Sequence, residues 1–382
     1  MSSTRANPAA DPLSPRRRLF RELEHPRLIV SNLTPNWFGS IMGTGIVASA
    51  AATLPFSVPG LRTGATVVWA LAAVLLIALS VATALHWARF RDTARSHLPH
   101  PVMANFYGAP PMALLTVGAG TILLGRDVLG LPLAVRIDEV LWVLGTALGL
   151  VTAVAIPYLT FLRTDVKPDS AFGGWLMPIV PPMVSASTGA LLLPYVPAGQ
   201  ARLTLLWGCY ALFGMALVAS FIVITQIWLR LAQHSVGPAA LVPTLWIVLG
   251  PLGQSITAVN LLGGNAALAV DPATAHALRV FGLLFGIPVL GFTLLWVALA
   301  CLLTIHTARE HLPFSLTWWS FTFAIGTCTT GISALALHTG LVALQVLAGI
   351  FYAGLVAAWL TVGIRTFSGS VLRGSLLAPP SA

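Results

Sequence analysis

Asp, Glu, Lys and Arg are absent from nine long stretches: 28–61, 63–88, 96–125, 140–162, 170–201, 203–229, 231–270, 280–308 and 311–364. Each is predominantly apolar and long enough for a membrane helix, which needs roughly 20 residues to cross the hydrocarbon core. The last stretch, of 54 residues, breaks at His338-Thr339-Gly340 and so holds two helices. The pattern predicts ten spans, near 36–54, 64–87, 102–124, 140–162, 175–195, 203–229, 243–263, 280–305, 314–336 and 340–364.

Polar residues divide these spans into two sets. The odd spans carry 24 Ser, Thr, Asn and Gln in 107 residues, the even spans 14 in 125. Polar groups in a bilayer favour the bundle interior or a wet cavity. The odd spans are therefore expected to face inward and the even spans lipid. Helix breakers follow the same division: Gly39, Gly43 and Gly45 in span 1, Pro110-Pro111 in span 3, Pro178 and Pro181-Pro182 in span 5, Gly250-Pro251 in span 7, Gly326 and Gly331 in span 9. Pro157 and Pro288 are the exceptions on even spans. Proline removes a helix hydrogen bond, and irregular backbone at membrane depth is tolerated inside protein or along a water-filled path. The expected fold is all-α: ten transmembrane helices as five hairpins around a central pore, kinked odd helices inside and straighter even helices outside. A competing reading of the glycines is close helix packing alone.

Composition agrees. Charged residues are 8% of the chain and apolar ones 57%, with a mean hydropathy of +0.87. Soluble domains carry about a quarter charged residues, so soluble enzymes and nucleic-acid binders are excluded. The net charge of +9 reflects orientation. With both termini inside, fifteen Lys and Arg fall on the cytoplasmic side and five outside, a firm positive-inside bias. Residues 1–31 then form a basic cytoplasmic tail, 32–366 the ten-span domain and 367–382 a short cytoplasmic C-terminal tail, in the plasma membrane. Arg17-Arg18 faintly resembles a twin-arginine signal, but the charged residues that follow exclude an export segment.

The acidic residues all fall in tails, loops or span ends, Asp138 and Glu139 at the start of span 4. Ion-driven pumps carry buried ionisable groups, so passive permeation is expected. Freed backbone N–H groups, hydroxyls and positive helix ends suit an anion. The candidate path lining is Gly43, Thr44, Gly45, Pro110, Pro111, Pro181, Pro182, Ser185, Pro251, Gln254 and Thr327. Cys209, Cys301 and Cys328 match no metal or redox spacing. No mid-span His, Asp, Glu or Cys cluster suggests an enzyme. No metal or cofactor is expected. His97, His100 and His338 sit near span ends as interfacial or pH-sensing groups.

Five motifs then carry a resemblance: PNWFGSIMGTGIVA (35–48), NFYGAPPMALLTVGAG (105–120), WLMPIVPPMVSASTGALL (175–192), GPLGQS (250–255) and WWSFTFAIGT (318–327), all on odd spans. Together they resemble the tellurite-resistance/dicarboxylate transporter family. It includes bacterial tellurite-resistance proteins, fungal malate permeases, yeast sulfite efflux pumps and the slow anion channel of plant guard cells. The resemblance covers about residues 32–366. It implies a homotrimer with one pore per protomer, and a pore closed by a phenylalanine in WWSFTFAIGT. Phe323 and Phe321 are the candidates, and position in the motif favours Phe323. Members often have Pro after this residue; here it is Ala324. The expected activity is passive flux of small inorganic anions or C4-dicarboxylates such as malate, with sulfite efflux the alternative. A receptor or scaffold without transport would not need polar residues on alternate helices.

Overall fold

Apolar runs rich in Ala, Leu and Val form long helices, and glycine or proline lies at or just before most of their starts. The computed structural model describes residues 19–20, 23, 28–162 and 166–377. Ten helices dominate it: α1 (Phe38–Ala52), α2 (Leu61–Arg89), α3 (Ala109–Gly120), α4 (Leu131–Phe161), α5 (Pro181–Leu192), α6 (Gln200–His234), α7 (Leu249–Asn265), α8 (Pro272–Glu310), α9 (Trp319–Thr339) and α10 (Val342–Phe367). No strand occurs among the described residues. Most of the N-terminal tail, with its arginines, lies outside the described residues.

Eight helical segments are long and apolar enough to cross a membrane. The exceptions are α1, with 15 residues, and α5, with 12. At about 1.5 Å per residue they span about 22 and 18 Å, short of the ~30 Å hydrocarbon core. Hydropathy does not reveal this, because apolar 3₁₀ and turn residues precede each helix at Pro35–Trp37 and at 173–180.

Burial separates the segments sharply. The apolar windows of Met103–Leu129, Ala239–Leu268 and Leu316–Thr339 are 67–94% buried, and those containing α2, α4, α6, α8 and α10 only 17–28%. Exposed Val67, Val74, Ile77, Val154, Ile222, Leu284 and Ile364 cover the second group with apolar surface. An apolar surface of this extent is what lipid solvates.

Packing follows the same division. α1 packs on α3, α3 on α5, α5 on α7, α7 on α9, and α9 returns to α1. Each of these helices also packs on the next helix in the chain. Each is preceded by a 3₁₀ segment: Pro35–Trp37, Met103–Gly108, Gly173–Leu176, Ala239–Val248 and Leu316–Trp318. The 3₁₀ segments touch one another in the same closed order.

Glycines set the spacing. A Cβ on Gly108 would overlap the Met177 carbonyl, and one on Gly173 the Thr244 carbonyl. On Gly253 it would lie 2.5 Å from Cys328 N, and on Gly326 2.5 Å from Ile46 Cγ1. Backbones in a membrane approach this closely only where side chains are absent.

Candidate functional site

Five helix starts converge at one end of the bundle, because α1, α3, α5, α7 and α9 all follow 3₁₀ segments that touch in a ring. A helix N-terminus carries about half a positive charge, here without free N–H groups at every start, since prolines occupy the first turns of α3, α5 and α7 and the Phe38, Ala109, Leu249 and Trp319 N–H groups bond carbonyls of the preceding segments. Five such ends make this region attractive to an anion without a buried Lys or Arg.

Cavities of about 460 and 410 Å³ lie against the outer helices, and two smaller ones are walled by the inner helices and the segments before them. The small one, about 30 Å³, sits among the helix starts and is walled by Asn36, Gly39, Met42, Phe106, Met177, Ile247, Gly250, Leu316, Trp319, Ser320, Phe323 and Ala324. The large one, about 280 Å³, is walled by residues of α1, α3, α5, α7 and α9, including Ser49, Thr116, Ser187, Thr188, Gln254, Thr257, Phe323 and Thr330. Phe323 is the one residue in both walls. Its side chain is 8% exposed.

Phe321 is placed differently. Its ring meets Trp246 edge-on at 5.4 Å and Trp318 at 5.6 Å, an aromatic packing geometry. It lines neither cavity.

The chain matches the voltage-dependent anion channel family, SLAC1, over residues 32–367. It belongs to that family. A sulfite efflux pump of Arthroderma otae is 26% identical over 341 residues, covering 88% of this chain and 90% of the pump. An uncharacterised transporter of Methanocaldococcus jannaschii is 28% identical over 305 residues, covering 78% of this chain and 82% of the relative. A sulfite efflux pump of Candida albicans is 26% identical, covering 90% and 76%.

Within this SLAC1-family chain, the residues singled out from sequence fall into two groups. Gln254 and Phe323 stand in the walls of these inner cavities, and Thr44 lines the separate cavity of about 460 Å³ between α1, α2, α9 and α10. The others sit at helix contacts. Gly43 faces Thr322 and Trp319, and Gly45 faces Thr116. Thr44 accepts a hydrogen bond from Trp359 Nε1 at 3.1 Å. Pro110 and Pro111 occupy the first turn of α3; the Pro111 and Pro181 rings lie against the Gly149 position of α4. Pro181 and Pro182 open α5 and are buried. Ser185 donates to Pro181 O at 3.2 Å and accepts from Thr146 Oγ1 at 2.9 Å, so it faces α4. Pro251 is the third residue of α7 and buried. Thr327 donates to Ala324 O at 2.8 Å, with Leu249 O at 3.3 Å.

The charge pattern puts Asp138 at a span start. In the structure it lies in the third turn of α4, because the helix begins at Leu131, well ahead of the charge-free stretch. Asp138 is fully buried, and neither carboxyl oxygen has a hydrogen-bond partner. It faces Gly118 of α3, where a Cβ would overlap its Oδ1. Nothing in the sequence pairs this acid with Gly118.

The histidines anchor span ends. His338 Nδ1 lies 2.8 Å from Asn260 Oδ1, and Arg279 Nε donates to its Nε2 at 3.3 Å. His97 stacks on His86 with ring centroids 5.7 Å apart.

Proposed function

We propose that the chain is a ten-span passive anion channel or facilitator built from five hairpins, with its path running from the small cavity past Phe323 into the large one. Phe323 is the gate: it stands between the two cavities as the residue they share. That observation carries the reading. Five converging helix starts supply the positive potential that draws anions to one end of the path.

Small inorganic anions are the proposed substrates, sulfite first, on the strength of relatives named sulfite efflux pumps. C4-dicarboxylates such as malate come second. A homotrimer with one pore per protomer follows the family resemblance.

The test is flux in liposomes. Purified protein is given chloride, nitrate, sulfite and malate under an imposed potential, with and without a pH gradient. Potential-driven flux of at least one anion is expected without the gradient. Strict dependence on a proton gradient would overturn the passive reading.

We place both termini in the cytoplasm, from the fifteen-to-five distribution of Lys and Arg. Single cysteines introduced between Arg89 and Arg95 are then expected to resist impermeant thiol reagents in intact cells. Cysteines in the loop 264–274 are expected to react, above the background of Cys209, Cys301 and Cys328. The opposite labelling pattern would reverse the orientation.

A further inference from the structure

The hydroxyls of the large cavity offer it almost no protons. Thr53 donates to Ser49 O at 3.0 Å, Thr116 to Met112 O at 2.7 Å, and Ser187 and Thr188 each to Val184 O at 2.9 Å. Thr257 and Thr330 have Gly253 O and Thr327 O at 3.1 and 3.0 Å, and lie 2.9 Å from each other. Both of their protons are therefore spent, whichever way the pair is arranged. Each of these groups turns lone pairs, not a donor, toward anything in the cavity. Such bonding to the preceding turn is the common habit of Ser and Thr inside helices.

Two groups in the same wall stand outside this pattern. Ser49 Oγ on α1 is buried and has no hydrogen-bond partner. Gln254 on α7, 5% exposed, donates from Nε2 to Ser187 Oγ at 2.6 Å, and its Oε1 has no partner. With the Ser187 proton assigned to Val184 O, Ser187 accepts from Gln254, and the amide is assigned with its nitrogen on Ser187. The wall thus holds two unspent donor hydrogens, on Ser49 Oγ and on the second N–H of Gln254 Nε2, and one amide acceptor without a partner, Gln254 Oε1. A buried polar group without a partner is costly, so a species that satisfies donors and acceptor together is favoured over one that satisfies the donors alone.

We infer that the large cavity selects an anion that carries its own proton: a monoprotonated oxyanion of a dibasic acid. This rests on the reading of the cavity as part of an anion path. The ionised oxygen accepts from Ser49 Oγ–H, and the O–H of the same ion donates to Gln254 Oε1. A halide or nitrate can accept from Ser49 and from the second Gln254 N–H but leaves Gln254 Oε1 unmet. The acceptor-rich wall repels such an ion, whereas a protonated oxyanion turns the same lone pairs into partners. Gln254 is on this account a specificity-determining residue, read by the proton its ligand brings.

The experiment uses full-length protein in liposomes, with protein-free vesicles subtracted. Hydrogen sulfite, chloride and nitrate are the probes, over a pH series crossing the second ionisation of sulfurous acid. In the wild type, sulfite flux relative to chloride and to nitrate is expected to fall as pH rises and the monoprotonated ion disappears. In Gln254→Met, the ratio of hydrogen sulfite to chloride flux is expected to fall about tenfold, the worth of one hydrogen bond to an ion. Ser49→Ala, a smaller change to the protein, is expected to lower flux of all three ions and to keep the pH dependence of the ratio. A wild-type ratio independent of pH would overturn the inference. So would a Gln254→Met protein with an unchanged ratio. If no probe passes under any potential, the anion-path reading itself fails, and this inference with it.

Discussion

Phe323→Ala is expected to raise anion flux per folded protein roughly a hundredfold or more at rest. The ring lines both the small cavity among the helix starts and the large cavity beyond. A buried aromatic ring blocks a narrow path by its bulk. Its apolar face also offers a passing ion nothing in place of hydration, so the barrier combines steric closure with dewetting. Moving such a ring out of its packed site forfeits contacts on the scale of a Phe→Ala truncation, roughly 3–5 kcal/mol in soluble cores. Each 1.36 kcal/mol is tenfold in rate, which sets the expected size.

The same truncation reports on the competing role. If Phe323 only packs α9 against its neighbours, alanine leaves a void, lowers stability and leaves flux per folded protein unchanged. Phe321 makes the comparison sharp. Its ring is held between Trp246 and Trp318, so Phe321→Ala is expected to cost stability without opening the path. Liposome flux normalised to folded protein, with thermal unfolding measured alongside, separates the two. A stable Phe323→Ala protein with resting flux equal to wild type would remove Phe323 as the gate.

Hydropathy made most of the helices legible, because a charge-free apolar run of membrane length has few other fates. The uneven polar content of alternate spans made their unequal burial legible too: Ser187, Gln254, Thr257 and Thr330 line a cavity, and Val74, Ile222 and Leu284 face outward. The prolines were harder to read. A double proline signals a broken helix, but Pro110-Pro111 and Pro181-Pro182 sit at helix starts, where the missing N–H costs nothing and the fixed φ suits the first turn. The 3₁₀ segments before them have no hydropathy signature, since Met103–Gly108 and Ala239–Val248 are as apolar as the helices they introduce. Hydroxyl direction was not legible either. Ser185 and Thr327 are polar and inward in sequence order, yet each bonds its own helix and faces a neighbouring one. Nothing in a linear pattern distinguishes a wall from a seam between two helices 3.6 residues per turn apart in phase.

Gly173→Ala is expected to abolish folded protein, although it adds a single methyl group. Gly173 opens the 3₁₀ segment before α5, and its Cβ would overlap the Thr244 carbonyl in the segment before α7. A clash with backbone is not relieved by a rotamer change, so one segment must move away from the other. The 3₁₀ segments contact one another in a closed order, so displacing one strains its neighbours on both sides. Overpacking a dense interior costs about 1–3 kcal/mol where side chains can adjust; here backbone meets backbone, and the cost lies above that range. Gly214→Ala in α6 is the matched control, since a Cβ there has nothing within 4 Å and alanine favours a helix interior over glycine by about 1 kcal/mol. Gly214→Ala is therefore expected to be neutral or slightly stabilising. Yield of monodisperse protein and thermal midpoint in the same detergent decide the matter: equal values for the two variants would mean that the close approach of these segments does not hold the bundle together.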